Sequence, residues 1–116
     1  MSQRKNILKS FRKAPVATKQ EIFDRVLANK NQLRKLGASK LGLFGSFVRN
    51  EARANSDVDL IVEFLPGQKT YHNLFNLGEE LEGILGRRVE VLTPESISKY
   101  FRNDVLESTE YVQISN

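Results

Sequence analysis

Leu43-Phe44-Gly45-Ser46-Phe47-Val48-Arg49-Asn50-Glu51-Ala52-Arg53-Ala54-Asn55-Ser56-Asp57-Val58-Asp59-Leu60-Ile61-Val62 is the stretch that decides how this chain is read. The apolar run Leu41–Phe44, broken by one glycine, reads as a short buried strand that stops at Gly45-Ser46. Phe47–Arg49 has room for one helical turn, Asn50–Ser56 is a polar loop, and Val58–Val62 is a second, β-branched strand. Glycine lets backbone come close to a ligand, and N–H groups freed at a strand-to-helix turn form an anion nest, to which Ser46 adds a hydroxyl. Asp57 and Asp59 are two residues apart, so in an extended chain both carboxylates project to one face. Like charges held that close repel until one takes a proton or a cation intervenes. With no His or Cys beside them, the hard oxygen donors suit Mg²⁺ or Mn²⁺ rather than zinc. Singly, each feature has an ordinary explanation: Gly-Ser is a common turn, and Asp-x-Asp is a common solvated strand start.

Working outward, Thr18-x-x-Glu21 is a capping box, and Ile22, Val26, Leu27, Leu33 and Leu36 continue it as an amphipathic helix to about Leu36, with Gly37 as its C-cap. Pro66-Gly67 closes the second strand. Leu74, Leu77, Leu81, Ile84 and Leu85 predict a helix over 71–85 capped by Gly86, with His72 a surface or capping residue at its start. Val89–Leu92 is a third short strand carrying Glu90 between two valines. An acid there either faces water or joins a site, and beside the 57–62 strand it would complete a three-carboxylate cluster. Pro94-Glu95-Ser96 opens a helical stretch running through Tyr100, Phe101, Val105 and Leu106. Tyr111–Ile114 alternates and fits either an edge strand or an unstructured end. The order is α-β-β-α-β-α, an α/β (α+β) class domain.

The 116 residues correspond to one domain, and no apolar run approaches the ~20 residues of a membrane span. The N-terminus leads into no apolar h-region, so it is not read as a secretory signal, and a cytoplasmic protein is expected. Cysteine is absent, which excludes disulfides, Cys-ligated zinc, Fe–S clusters and thiol catalysis. One histidine supplies His-based chemistry poorly. Charge is uneven: residues 1–40 hold eleven Lys/Arg and two acids, net +9, and residues 41–116 hold seven and twelve, net −5. Residues 1–17, a basic tail or short helix ending near Pro15, precede a catalytic domain over 18–116. The tail suits either a solvated face or contact with a polyanion such as nucleic acid.

Gly45-Ser46, ten residues and then Asp57-x-Asp59 resembles the GSx10DxD signature of the polymerase-β-like nucleotidyltransferase superfamily. Leu43–Phe64 as a whole, together with Leu85-Gly86-Arg87-Arg88-Val89-Glu90-Val91-Leu92-Thr93-Pro94-Glu95, is similar to the minimal nucleotidyltransferases (MNT) over roughly residues 20–112. The resemblance implies a small mixed β-sheet flanked by helices, with ATP as cosubstrate and Mg²⁺ (or Mn²⁺) as cofactor. It implies Asp57 and Asp59 as metal ligands, Gly45 and Ser46 as the triphosphate-binding turn, Arg49 as a phosphate contact, and Glu90 as the third catalytic or metal-binding carboxylate. Two positions depart from the family pattern: Glu90 stands where Asp is usual, and Asn50 where Gly is common.

The length leaves room only for a catalytic core, so the acceptor is expected to dock from outside and a protein partner or second copy to complete the cleft. The MNT group implies the antitoxin half of a HEPN/MNT toxin–antitoxin module, one that transfers AMP from ATP to a tyrosine of the HEPN ribonuclease. Two alternatives stay open: a non-catalytic antitoxin acting by complex formation, and a dimeric small-molecule nucleotidyltransferase.

Overall fold

Thr18 starts the first helix as expected, its side chain accepting a hydrogen bond from the Glu21 N–H at 3.2 Å while the Glu21 carboxylate accepts from the Ala17 N–H. In the computed structural model, which describes residues 13–115, this helix α1 (Lys19–Ala28) ends earlier than the apolar spacing predicts, and α2 (Lys30–Lys35) follows after Asn29. The Asn29 side chain turns back to donate to the Arg25 carbonyl at 2.8 Å. That local bond competes with helix continuation, and period alone does not reveal it.

Strand β1 (Ala38–Phe44) starts three residues before the expected run, and β2 (Val58–Phe64) extends two beyond it, because the two pair antiparallel from Ala38↔Phe64 to Phe44↔Asp59. Helix α3 (Tyr71–Leu85) has the expected bounds. Thr70 caps its N-terminus and left-handed Gly86 (φ 68°) its C-terminus, where a Cβ would collide with the carbonyls of Lys13 and Ala14. His72 is exposed and lies 2.9 Å from the Asn76 amide. β3 (Val89–Leu92) then pairs parallel with β2.

The helical stretch expected from Pro94 to Leu106 is corrected: a single 3₁₀ turn, Pro94–Ser96, is followed by extended Ile97 and only later by α4 (Arg102–Ser108). Ser96 closes the turn on itself through hydrogen bonds with Thr93, and the Arg102 guanidinium caps it by donating to the carbonyls of Pro94, Glu95 and Ile97. The C-terminal alternation forms edge strand β4 (Glu110–Gln113), antiparallel to β1. The mixed sheet has the order β3-β2-β1-β4.

One sheet face is helix-covered. Val58, Leu60 and Val62 of β2 point into it with Leu41 and Leu43, meeting Ile22, Val26 and Leu33 of α1–α2 and Leu77, Leu81 and Leu85 of α3. Val16 joins this core, fully buried, and its N–H donates to the Leu85 carbonyl at 3.0 Å, so the chain is tied to the body upstream of Thr18. Residues 1–12, the greater part of the expected tail or short helix, lie outside the described residues. Among the described residues no helix is long and apolar enough to cross a membrane.

Candidate active site

The alternation that buries Val58, Leu60 and Val62 turns Asp59 to the opposite sheet face. Asp59 pairs with Phe44, the last residue of β1, and with Glu90 of β3. The end of β1 and the beginnings of β2 and β3 therefore meet at one end of the sheet. Matched residues of parallel strands share a face, so Asp59 and Glu90 stand side by side. Asp57, two residues earlier, contributes a third negative charge that Asp59 feels. The condition on which Glu90 could join the aspartates, adjacency of the two strands, is met.

Gly45 is required here for two reasons. Its φ of +80° lies in the left-handed region, and a Cβ at this position would collide with the Asp59 carboxylate. The turn Gly45–Phe47 is a 3₁₀ turn in which the Gly45 carbonyl accepts from Arg49 N–H at 3.3 Å and the Ser46 carbonyl accepts from Glu51 N–H at 2.8 Å. Asn50 takes φ 59°, the left-handed geometry that Asn tolerates better than most residues, so the turn survives without the family's common glycine. Arg49, exposed, makes an ion pair with Glu51 at 2.9 Å and still lies close enough to attract the Asp59 carboxylate.

The electrostatics are those of a carboxylate cluster short of positive charge. Asp59 is raised from 3.8 to about 6, first by its partial burial, then by repulsion from Glu90 and Asp57 and by a hydrogen bond with Glu90 that favours its protonated form; Arg49 offsets only part of this. Asp57 and Glu90 are exposed, so the cluster opens to solvent, and Asp57 also borders a cleft of about 300 Å³ shared with Ser56, Arg87 and Arg88. Among the described residues no three carboxylate or histidine groups converge closely enough to enclose an ion on their own. This donor set fits a magnesium ion that arrives with its nucleotide, because Mg²⁺ keeps several waters and is commonly held by one or two carboxylates plus substrate phosphates.

Arg87 lies in the Leu85–Glu95 stretch that carries the family resemblance without a role assigned to it there, and it makes four hydrogen bonds to backbone carbonyls around this site.

The nucleotidyltransferase domain family model matches residues 27–112. The protein adenylyltransferase MntA of Thermococcus cleftensis is 37% identical over 98 residues, 82% of this chain and 96% of that one. A Methanocaldococcus jannaschii chain assigned as a protein adenylyltransferase is 42% identical over 74 residues, 64% of this chain and 78% of that one. A solved structure assigned as a minimal nucleotidyltransferase superposes with a TM-score of 0.62 at 32% identity, covering 75% of this chain and 92% of that chain. A toxin–antitoxin crystal structure with AMP-PNP shares the fold at a TM-score of 0.55 and 23% identity, over 74% and 72% of the two chains. With its glycine turn, paired strands and clustered acids arranged on that fold, the chain belongs to the nucleotidyltransferase domain family, among its minimal members.

Proposed function

We propose that the protein transfers AMP from Mg²⁺-bound ATP to a tyrosine hydroxyl of a partner HEPN toxin and thereby acts as its antitoxin. The observation that carries this reading is the pairing of Asp59 with Glu90 across β2 and β3 beside the Gly45–Ser46 turn, with Asp57 near enough to repel Asp59. Asp57 and Glu90 are exposed, so this end of the sheet is open to an acceptor. Likeness to a chain named a protein adenylyltransferase supports a protein acceptor, and the likeness of fold to a toxin–antitoxin structure supports the choice of a toxin.

In this reading Asp57 and Asp59 would hold the magnesium ion, with Glu90 beside Asp59 across the β2–β3 pair. When bound, Mg²⁺ supplies charge neutralisation of the triphosphate and of the departing pyrophosphate. The Gly45–Ser46 backbone and the Ser46 hydroxyl receive the β- and γ-phosphates, and Arg49 exchanges its partner Glu51 for phosphate oxygen. The tyrosine oxygen forms a bond to the α-phosphorus as the α–β bridging bond breaks. Pyrophosphate leaves and the phenolic proton passes to the Glu90 carboxylate. The added phosphodiester places a negative charge on the toxin, a local electrostatic switch.

The test mixes the purified protein with the HEPN protein encoded beside it, at one part to twenty, with Mg·ATP labelled at the α-phosphate. Label on a toxin tyrosine, with ribonuclease activity lost far below one equivalent, is the expected result. Neutralisation only at full stoichiometry and without label would make the protein a binding antitoxin. Transfer to small molecules with no protein partner would make it a small-molecule enzyme.

A further inference from the structure

Arg87 lies two residues ahead of the first residue of β3, and the parallel register carries it alongside the end of the loop that precedes Asp57. Its Nη1 donates to the carbonyls of Arg53 at 3.2 Å, Ala54 at 2.8 Å and Ser56 at 3.1 Å, and its Nε donates to Val16 at 2.7 Å. The guanidinium carbon also sits 5.1 Å from the ring centroid of Phe47, the buried residue immediately after Ser46. One side chain thus touches both ends of the connector between Gly45-Ser46 and Asp57-x-Asp59. The loop closes at this point, with Ser56 N–H donating to Arg53 carbonyl at 3.0 Å and Arg53 N–H to Ser56 Oγ at 2.7 Å. The next backbone link, Val58 N–H to Arg88 carbonyl at 2.9 Å, ties the loop's exit to Arg87's own strand.

We infer that Arg87 is a positioning residue for nucleotidyl transfer, holding the 53–56 loop and Phe47 together so that Asp57 is presented beside Asp59 and the glycine turn. Four carbonyl oxygens accept from it; that of Arg53 also accepts from Ser56 N–H, whereas the partly buried carbonyls of Val16 and Ser56 lose this donor when the guanidinium is removed. Lysine supplies the charge and three donors at one nitrogen but has no counterpart of Nε, so it cannot hold Val16 and the loop carbonyls together. The inference rests on the nucleotidyl-transfer reading only for its catalytic consequence; the positioning itself is measurable in the free protein.

R87A and R87K are compared with wild type by hydrogen–deuterium exchange and by Mg²⁺-dependent kinetics. Exchange of the 53–58 amides is expected to quicken about tenfold or more in R87A and by less in R87K, with α3 core amides unchanged. The Mg²⁺ concentration for half-maximal transfer is expected to rise about tenfold in R87A, the usual cost of losing a residue that orients a metal ligand, and millimolar methylguanidinium but not methylammonium is expected to restore it. Unchanged exchange in the loop, or exchange that quickens equally throughout the chain, overturns the inference. Should R87A not fold, R87K carries the same comparison, and a wild-type loop in R87K overturns it as well. Absence of transfer by the wild-type protein would sink the proposed function and leave the exchange comparison standing.

Discussion

Asp59→Asn should stabilise the free protein while abolishing transfer. In the folded chain Asp59 has its pKa raised from 3.8 to about 6 by burial and by its neighbours Glu90 and Asp57. The folded state therefore holds this proton more tightly than the unfolded state does. Its contribution to stability is fully present below the unfolded value near 4 and is lost as pH rises through about 6. A shift of roughly two units corresponds to about 3 kcal/mol at full strength. The carboxylate is only half-buried, and solvent screening reduces this to about 1–2 kcal/mol. Asparagine keeps the shape and carries no charge, so the loss between pH 4 and 7 disappears. The assay is urea unfolding of both proteins at pH 4, 5, 6 and 7 in EDTA. The gap between variant and wild type should widen by about 1–2 kcal/mol across that range, or several degrees in Tm at pH 7 for a domain of this size. A gap constant with pH would refute the reasoning, because Asp59 would then be titrating alike in the folded and unfolded states. Adding Mg·ATP at pH 7 should stabilise the wild type and leave Asp59→Asn little changed, because in the proposed function the same carboxylate holds the cation.

Further outcomes follow from the same geometry. Gly45→Ala forces a side chain into left-handed backbone against the Asp59 carboxylate and should cost about 1–3 kcal/mol, with transfer falling further than the folded fraction measured by circular dichroism. Glu90→Gln should lower kcat by about 10²–10⁴-fold with the KM for ATP moving much less, whereas Glu90→Asp, which keeps the carboxylate, should lose less; initial rates against ATP concentration separate them. Asn50→Gly should leave the denaturation midpoint within a few tenths of a kcal/mol, while Asn50→Val, β-branched at φ 59°, should cost about 1–2 kcal/mol.

What could be read in the sequence divides along a physical line. Elements held by their own periodicity and caps were legible: α3 runs from Thr70 to Gly86 as the apolar steps and the glycine require. Strand alternation, being local, made legible that Asp59 turns away from the core side of Val58 and Leu60, whereas Asp57 falls just before β2 and outside the alternation expected to pair it with Asp59. Features settled by side chains folding back on their own backbone were not, and Asn29 dividing α1 from α2 and Ser96 closing its turn after Thr93 both belong here. Strand pairing lies between the two. Glu90 was recognisable as a strand acid, and only the parallel register with β2 brings it to Asp59.

Arg87 marks the far end of that line. Phe47, Val48 and Ala52 anchor the first half of the connector in the core, but Arg53–Ser56 offers nothing apolar beyond Ala54, which is exposed. Some of the connector's carbonyls accept from N–H groups within the loop, Ser46 from Glu51 and Arg53 from Ser56, and further donors come from elsewhere in the chain. Here they arrive on one guanidinium more than thirty residues later, delivered by the pairing of β3 with β2. The spacing of the two motif halves and the parallel strand that follows are thus one device: the strand that brings Glu90 to Asp59 is preceded by the arginine that holds the loop leading into Asp57.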